Sequence, residues 1–350
     1  MNKKLFLSVA AGAVVSLPVL ADNSNVTLYG RVNVSLEQTE TTHNPAGDAS
    51  KMQVVDNSSR VGFRGKEELG DNFAAIFQVE NRVHADTGGD TWASRDSFVG
   101  LQGGVGTIRL GRTIGPVYYQ TYDSLPENNH DTGNSSDALL APTIFGNSGF
   151  MNNTIWYTSP TMGGFTVEAA YSLLGEAPLP GTTSKPHYIG VVGAFDQGPL
   201  HVALAYAETK NSADLDPTPA VKLNDDTAIT AMGVYDFKVV VVGLLYERAK
   251  SDLLVGDVKR NYYRVSIMAP VGQNEFHVNY GHVDHRLDTS VADAGARQWT
   301  LGYNYNLSKR TKVFAFYTRV DNKTNGNYGF LTNLPGVDNR SIAAGIRHNF

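Results

Sequence analysis

The segment Ser341 to Phe350 alternates by residue. Ile342, Ala344, Ile346, His348 and Phe350 fall on one face of an extended chain, and Ser341, Ala343, Gly345, Arg347 and Asn349 fall on the other. A strand that finishes the chain in this way and stops on an aromatic residue constrains the fold strongly. A closed β-barrel in lipid needs such a strand, because the last strand must pair with the first to leave no open edge in hydrocarbon.

The other end of the chain agrees with an exported protein. Lys3 and Lys4 precede an apolar run from Leu5 to Val15, and Val19-Leu20-Ala21 offers a cleavage site before Asp22. Residues 1–21 are therefore expected to be a secretory signal peptide, and residues 22–350 the transmembrane barrel. The apolar run is short and closely followed by Pro18, which argues against a membrane anchor. Loss of the two lysines makes the mature chain two charges more negative than the formal −5 of the whole.

There is no cysteine, so neither a disulfide framework nor a thiol site is available. Beyond the first residues no stretch approaches the ~18 apolar residues of a spanning helix. Spanning by strands remains.

Short turn signals recur at 68–72, 103–106, 160–164, 196–199, 236–238, 270–274 and 308–310, each built from residues that favour turns. Seven internal hairpins plus a first and a last strand give a 16-stranded antiparallel barrel. Longer polar segments alternate with these turns, at 38–57, 85–94, 174–184, 210–225, 248–260, 285–295 and 322–340, with the longest at Thr113 to Phe150. Short turns on one side and long loops on the other mark an outer-membrane barrel.

Individual strands carry the two-residue period. Val26, Leu28, Gly30, Val32, Val34 and Leu36 alternate with Thr27, Tyr29, Arg31, Asn33, Ser35 and Glu37. Phe165, Val167, Ala169, Tyr171 and Leu173 behave alike. So do Trp299, Leu301, Tyr303, Tyr305 and Leu307, which sets Leu301 towards lipid and Thr300 towards the lumen. Tyr29, Tyr171, Trp299 and Tyr305, near strand ends, suit interfacial girdles. Two segments give no clear parity: Val239 to Leu245 is apolar throughout, and Lys312 to Thr318 is mixed.

Val26 to Gly30 followed by Ser59-Arg60-Val61-Gly62-Phe63-Arg64-Gly65-Lys66-Glu67-Glu68-Leu69-Gly70 resembles the opening hairpins of Gram-negative general-diffusion porins, most closely those of Neisseria and related β-proteobacteria. Ser97 to Leu101, Leu110-Gly111-Arg112 and Gly345 to Phe350 continue the resemblance, which runs through the whole mature chain apart from the external loops. It implies homotrimers of 16-stranded barrels in the outer membrane lipid, each with a long third external loop folded into the lumen. The implied function is a water-filled channel for passive diffusion of ions and small hydrophilic solutes, with no enzyme activity, no cofactor and no nucleic-acid partner.

The resemblance also implies a constriction. Thr113 to Phe150 occupies the place of the third loop, and Asp123 and Glu127 are its acids. Arg31, Arg60 and Arg95 are the matching basic residues of the facing wall. Parity independently turns Arg31 and Arg60 inward, whereas Arg95 rests on the motif alone. Many relatives carry a further arginine just before Asn152-Asn153, where this chain has Phe150 and Met151. That departure and the acidic balance lead us to expect a weak lean towards cations. Opposed rows of fixed charge orient ions and polar solutes in a narrow aqueous gap without catalysis.

Other motifs carry less. Asp86-Thr87-Gly88 and Asp131-Thr132-Gly133 match the paired signature of aspartic proteases, but neither has the apolar flanks that bury such a dyad. His277, His282 and His285 alternate faces along a strand and do not converge on a metal. Asp214, Asp216, Asp225 and Asp226 lack the glycine turn and terminal glutamate of a calcium loop. The alternative to a channel is an adhesin or surface interaction protein whose loops carry the function.

Overall fold

The computed structural model describes residues 25–89, 91–126, 137–139, 149–174, 185–212, 224–253, 256–287, 293–332 and 334–350. The expected signal peptide, Glu127, Asp131 to Gly133, Asp214 and Asp216 lie outside the described residues.

Strands β1 (Asn25–Thr42), β2 (Ser50–Asp56), β3 (Arg60–Gly70), β4 (Phe73–Arg82), β5 (Ser97–Gly103) and β6 (Gly106–Thr113) open the chain. A short helix α1 (Pro116–Gln120) and a 3-10 turn (Asp137–Leu139) follow. The wall then continues through β7 (Met151–Thr158), β8 (Phe165–Leu173), β9 (His187–Gln197), β10 (Leu200–Ser212), β11 (Asn224–Asp236) and β12 (Val241–Leu253). It ends with β13 (Gly256–Val271), β14 (Asn274–Leu287), β15 (Ala296–Asn306), β16 (Thr311–Asn322) and β17 (Asp338–Asn349). Apart from β2 and β3, each strand pairs antiparallel with the next, and β17 pairs with β1 from Arg31↔Asn349 to Thr42↔Asp338. Both β2 and β3 lie against β1, at Val34 to Glu40 and Asn25 to Arg31 respectively, so they are two halves of one strand. Counted so, the barrel is closed and 16-stranded.

All seven expected tight turns connect hairpins at one end of the barrel. The strands run further than the two-residue pattern indicates at the other end, where β1 reaches Thr42 and β12 and β13 leave only residues 254–255 between them. Beyond the membrane both faces meet water, so the alternation fades while the backbone ladder continues. Asp225 and Asp226 accordingly sit in β11 and not in a loop.

The expected faces hold. Val26, Leu28, Val32 and Leu36 are exposed on the outer wall, and Asn33, Ser35, Glu37, Thr39 and Thr41 are buried on the inner one. Leu301 is 57% exposed beside Thr300 at 0%. Thr300 does not face open water, however: it packs inside against Thr318, with 2.9 Å between the hydroxyls. Tyr171, Trp299 and Tyr305 point outward as a girdle requires. Tyr29 does not: it belongs to the inner set and donates its hydroxyl to Glu80 at 3.0 Å.

The two undecided segments have a common cause. In β12 the outer residue Leu244 is exposed, while inner Leu245 is buried in a cluster with Tyr122, Leu125, Met232 and Tyr262. Both faces are apolar because lipid covers one and the segment after β6 covers the other. In β16, Phe314 and Phe316 turn inward and pack with Ala343, and the Phe314 ring lies over Gly345.

Candidate functional site: the lumen constriction

The segment after β6 is held to the inner wall at successive points. Val117 of α1 packs on Tyr188, Val192, Ala203 and Ala205 of β9 and β10. The Ile114 amide donates to Asp96 at 3.1 Å, and the Tyr119 hydroxyl donates to the same carboxylate. Burial raises the Asp96 carboxyl above its ordinary value, and the hydrogen bonds from Tyr119, Ile114 and Thr113 oppose that rise. Gln120 donates its amide to Glu168, which also accepts from Trp156 at 2.8 Å and Thr158 at 2.9 Å. Tyr119 stacks on Trp156 at 6.1 Å between centroids.

Further round, Tyr122 donates to Glu247, which pairs with Arg260; both side chains are almost completely buried, at 1% and 3% exposure. Arg260 also donates to the Leu139 carbonyl at 3.0 Å. Gly243 lies beneath Leu125 and Pro126 so closely that an added Cβ would stand 2.6 Å from the proline ring. The described parts of the segment thus run along the inner faces of β7 to β15 and leave the opposite wall, β1 to β4, open to the lumen.

That open wall carries the arginines. Arg31 is directly opposite Arg60 across β1 and β3, and Arg60 is directly opposite Arg82 across β3 and β4, so three inward guanidinium groups form one row. Like charges directly across strands are destabilising. The row lines an open space of ≈ 660 Å³ together with Arg64 and Arg95, and Glu80, Asp96 and Asp123 border the same space. Four of the five expected constriction residues, Arg31, Arg60, Arg95 and Asp123, are therefore brought to one gap; the fifth, Glu127, lies outside the described residues.

Arg95 differs from the row. It forms a salt bridge with Glu80, its exposure only 14%, and it lies 5.1 Å over the ring of Phe150. Phe150 sits with Arg95 on one side and Arg112 at 5.3 Å on the other.

Sequence reasoning missed Arg82, Glu80, Asp96 and the Glu247–Arg260 pair. For Arg82 a signal existed: Gln78, Glu80 and Arg82 share the inner parity of β4, opposite outward Phe73 and Phe77. The chain as a whole is acidic, whereas the described lining of the gap has five arginines and three carboxylates.

A family profile described as Gram-negative porin matches residues 8–325. The chain is 29% identical to outer membrane porin protein 32 of Delftia acidovorans over 97% of its length and 99% of the relative. It is 27% identical to the major outer membrane protein P.IB of Neisseria sicca over 98% and 99% of the two chains. Among solved structures, the anion-selective porin from Comamonas acidovorans superposes with a TM-score of 0.74 at 27% identity, covering 94% of this chain and all of that one. The trimer form of OmpT from Vibrio cholerae shares the fold, with a TM-score of 0.66 at 18% identity over 94% of this chain and 100% of that one. With a closed 16-stranded wall, a lipid-facing exterior and a polar lumen, the chain belongs to the Gram-negative porin family and is an outer-membrane channel for passive diffusion.

Proposed function

We propose that Arg31, Arg60 and Arg95, joined by Arg82, face Asp123 and Glu127 across the narrowest part of a trimeric channel, and that this constriction favours small anions and anionic solutes. The observation that carries the reading is the cross-strand row Arg31–Arg60–Arg82 on the wall opposite the segment that bears Asp123. The Comamonas relative is described as anion-selective and the Vibrio one as a trimer, which fits both parts. The chain acts by fixed charge and width, with no bond made or broken.

Reversal potentials of single channels in a salt gradient test it. A unit charge about 7 Å from an ion's path contributes about 0.3 kcal/mol at 0.1 M salt, so each charge changes the anion-to-cation ratio about 2.7-fold. At 1 M the factor falls to about 1.2. Arg31→Gln with Arg60→Gln and Arg82→Gln should move the potential towards cations. Asp123→Asn with Glu127→Gln should move it towards anions. Unchanged potentials in both variants at low salt, with intact channels, would refute the assignment.

A further inference from the structure

The last residue of α1 is tied to the barrel wall through a histidine. His201 opens β10 just after the tight turn at 196–199, and it shares the inner parity of Ala203, Ala205 and Ala207. It stands directly opposite Asp196 of β9, and its Nδ1 lies 2.7 Å from the Asp196 carboxylate. Its Nε2 lies 3.0 Å from the backbone carbonyl of Gln120. The ring is 17% exposed and the Asp196 side chain 60%, so channel water reaches the pair.

Both partners are acceptors. A carbonyl oxygen has no proton to give, and neither has an ionised carboxylate. A neutral imidazole carries one N–H, so it serves one of them and turns a lone pair on the other. With Nδ1 protonated, bare Nε2 faces the Gln120 carbonyl; with Nε2 protonated, bare Nδ1 faces the Asp196 carboxylate. Only the imidazolium, with an N–H on each nitrogen, makes both hydrogen bonds.

The neighbouring charges have other engagements. Glu168 on β8 receives the Gln120 side chain, Trp156 and Thr158. Asp236, at the end of β11, accepts the Lys238 amide at 2.6 Å, and the β11 residue opposite His201 is the apolar Val234. Arg109 of β6 lies 4.5 Å over Trp156 and donates to Thr158 at 2.9 Å. Further along the segment, Asp123 borders the arginine gap. Asp196 is the carboxylate bonded to the ring.

We propose that His201 is a proton-operated latch for the inserted segment, a regulation that rests on the reading of that segment as the constriction. Protonated, the ring joins Gln120 to Asp196 and holds α1 against β9 and β10. Neutral, it lets go of one side, and α1 is left to the packing of Val117 and the bond from Gln120 to Glu168. Fastening is therefore complete at low pH and is lost as the pH rises through the range in which histidine changes charge, about pH 5 to 8.

Single-channel recordings in symmetric salt at about pH 5 and about pH 8 test the latch. The wild type should be quiet at the lower pH and close roughly ten-fold more often at the higher one, as one hydrogen bond to a charged group is lost. His201→Gln should close often at both, because a single amide does not place a donor at both ring-nitrogen positions. Asp196→Asn should be quiet at both: its amide donates to bare Nδ1, so the neutral ring makes both contacts. A merely structural role for the pair would make both variants noisy. His43→Gln, at the end remote from the tight turns, should keep the wild-type step.

Asp196 is exposed beside a turn, a mild place for substitution, so Asp196→Asn decides the matter even if His201→Gln does not assemble. A wild type equally quiet at both pH values would overturn the proposal. So would a step that persists in His201→Gln or Asp196→Asn, or one lost in His43→Gln. Reversal potentials keep the latch distinct from the arginine row. If the arginine variants left the potential unchanged, the charge assignment of the constriction would fail, while a step in closure frequency that Asp196→Asn abolishes would still support the latch.

Discussion

Glu247 offers the most direct way to loosen the constriction from its wall. Its carboxylate receives Tyr122 from the inserted segment, Arg260 from β13 and, at 3.3 Å, Thr230 from β11. Glu247→Gln keeps the volume and removes the charge, so Arg260 stays buried at 3% exposure without its counter-ion. Breaking a buried pair from one side typically costs about 3–5 kcal/mol. Tyr122→Phe removes only a hydrogen bond to a charged group, about 1.5–3 kcal/mol. The two substitutions share a partner, so their combined cost should fall short of the sum. Replacing both Glu247 and Arg260 with Met should recover much of the loss, because no charge then remains buried, although the Leu139 carbonyl loses its donor. Urea unfolding in lipid vesicles measures the stabilities. Single-channel recordings of the same proteins should show noisier current in Glu247→Gln, as the segment near Tyr122 leaves the wall more often. A Glu247→Gln protein within about 1 kcal/mol of the parent, with equally quiet current, would refute the view that this buried pair fastens the segment.

Leu301→Arg places a charge on the lipid face and should lower stability by about 2–4 kcal/mol in the same vesicle assay; a change under about 0.5 kcal/mol would move Leu301 out of the hydrocarbon. Gly243→Ala pushes a methyl group towards Pro126 and Leu125, and should cost about 1–3 kcal/mol and alter single-channel conductance, whereas no effect would mean the segment does not rest there. Unboiled samples should migrate on gels as a large species that collapses to monomer on heating, and migration as a monomer under both conditions would remove the trimer.

The wall was legible because two chemistries, lipid and water, imprint a two-residue period on each strand, and because glycine, asparagine and proline mark the tight turns. Legibility stopped where one of those chemistries was replaced. Leu245 and Phe314 look like lipid-facing residues but are covered from inside, by the segment at Tyr122 and Leu125 in one case and by Ala343 in the other. Strand ends beyond the membrane lost the pattern because both faces are wet. At the site, Arg31 and Arg60 could be aimed by parity, but their alignment with Arg82 depends on pairing register, which a sequence without coordinates does not fix. The Glu247–Arg260 pair was hidden for the same reason: each residue alone reads as an ordinary inward charge. Net charge does not describe the gap, because the acids are spread over the whole chain while five arginines converge there.

The arginine row also bears on how faithfully the barrel assembles. A one-residue slip of β3 against its neighbours would turn Arg60, Arg64 and Lys66 to the lipid side and bring Val61, Phe63 and Gly65 to the water side. Each cation so displaced costs up to about 2–4 kcal/mol, depending on depth. Misaligned hairpins are thus penalised by several residues at once, next to the seam where β1 meets β17. Neutralising these arginines would then do more than change which ions pass: it would lower the discrimination between correct and slipped pairing at the step that shuts the barrel.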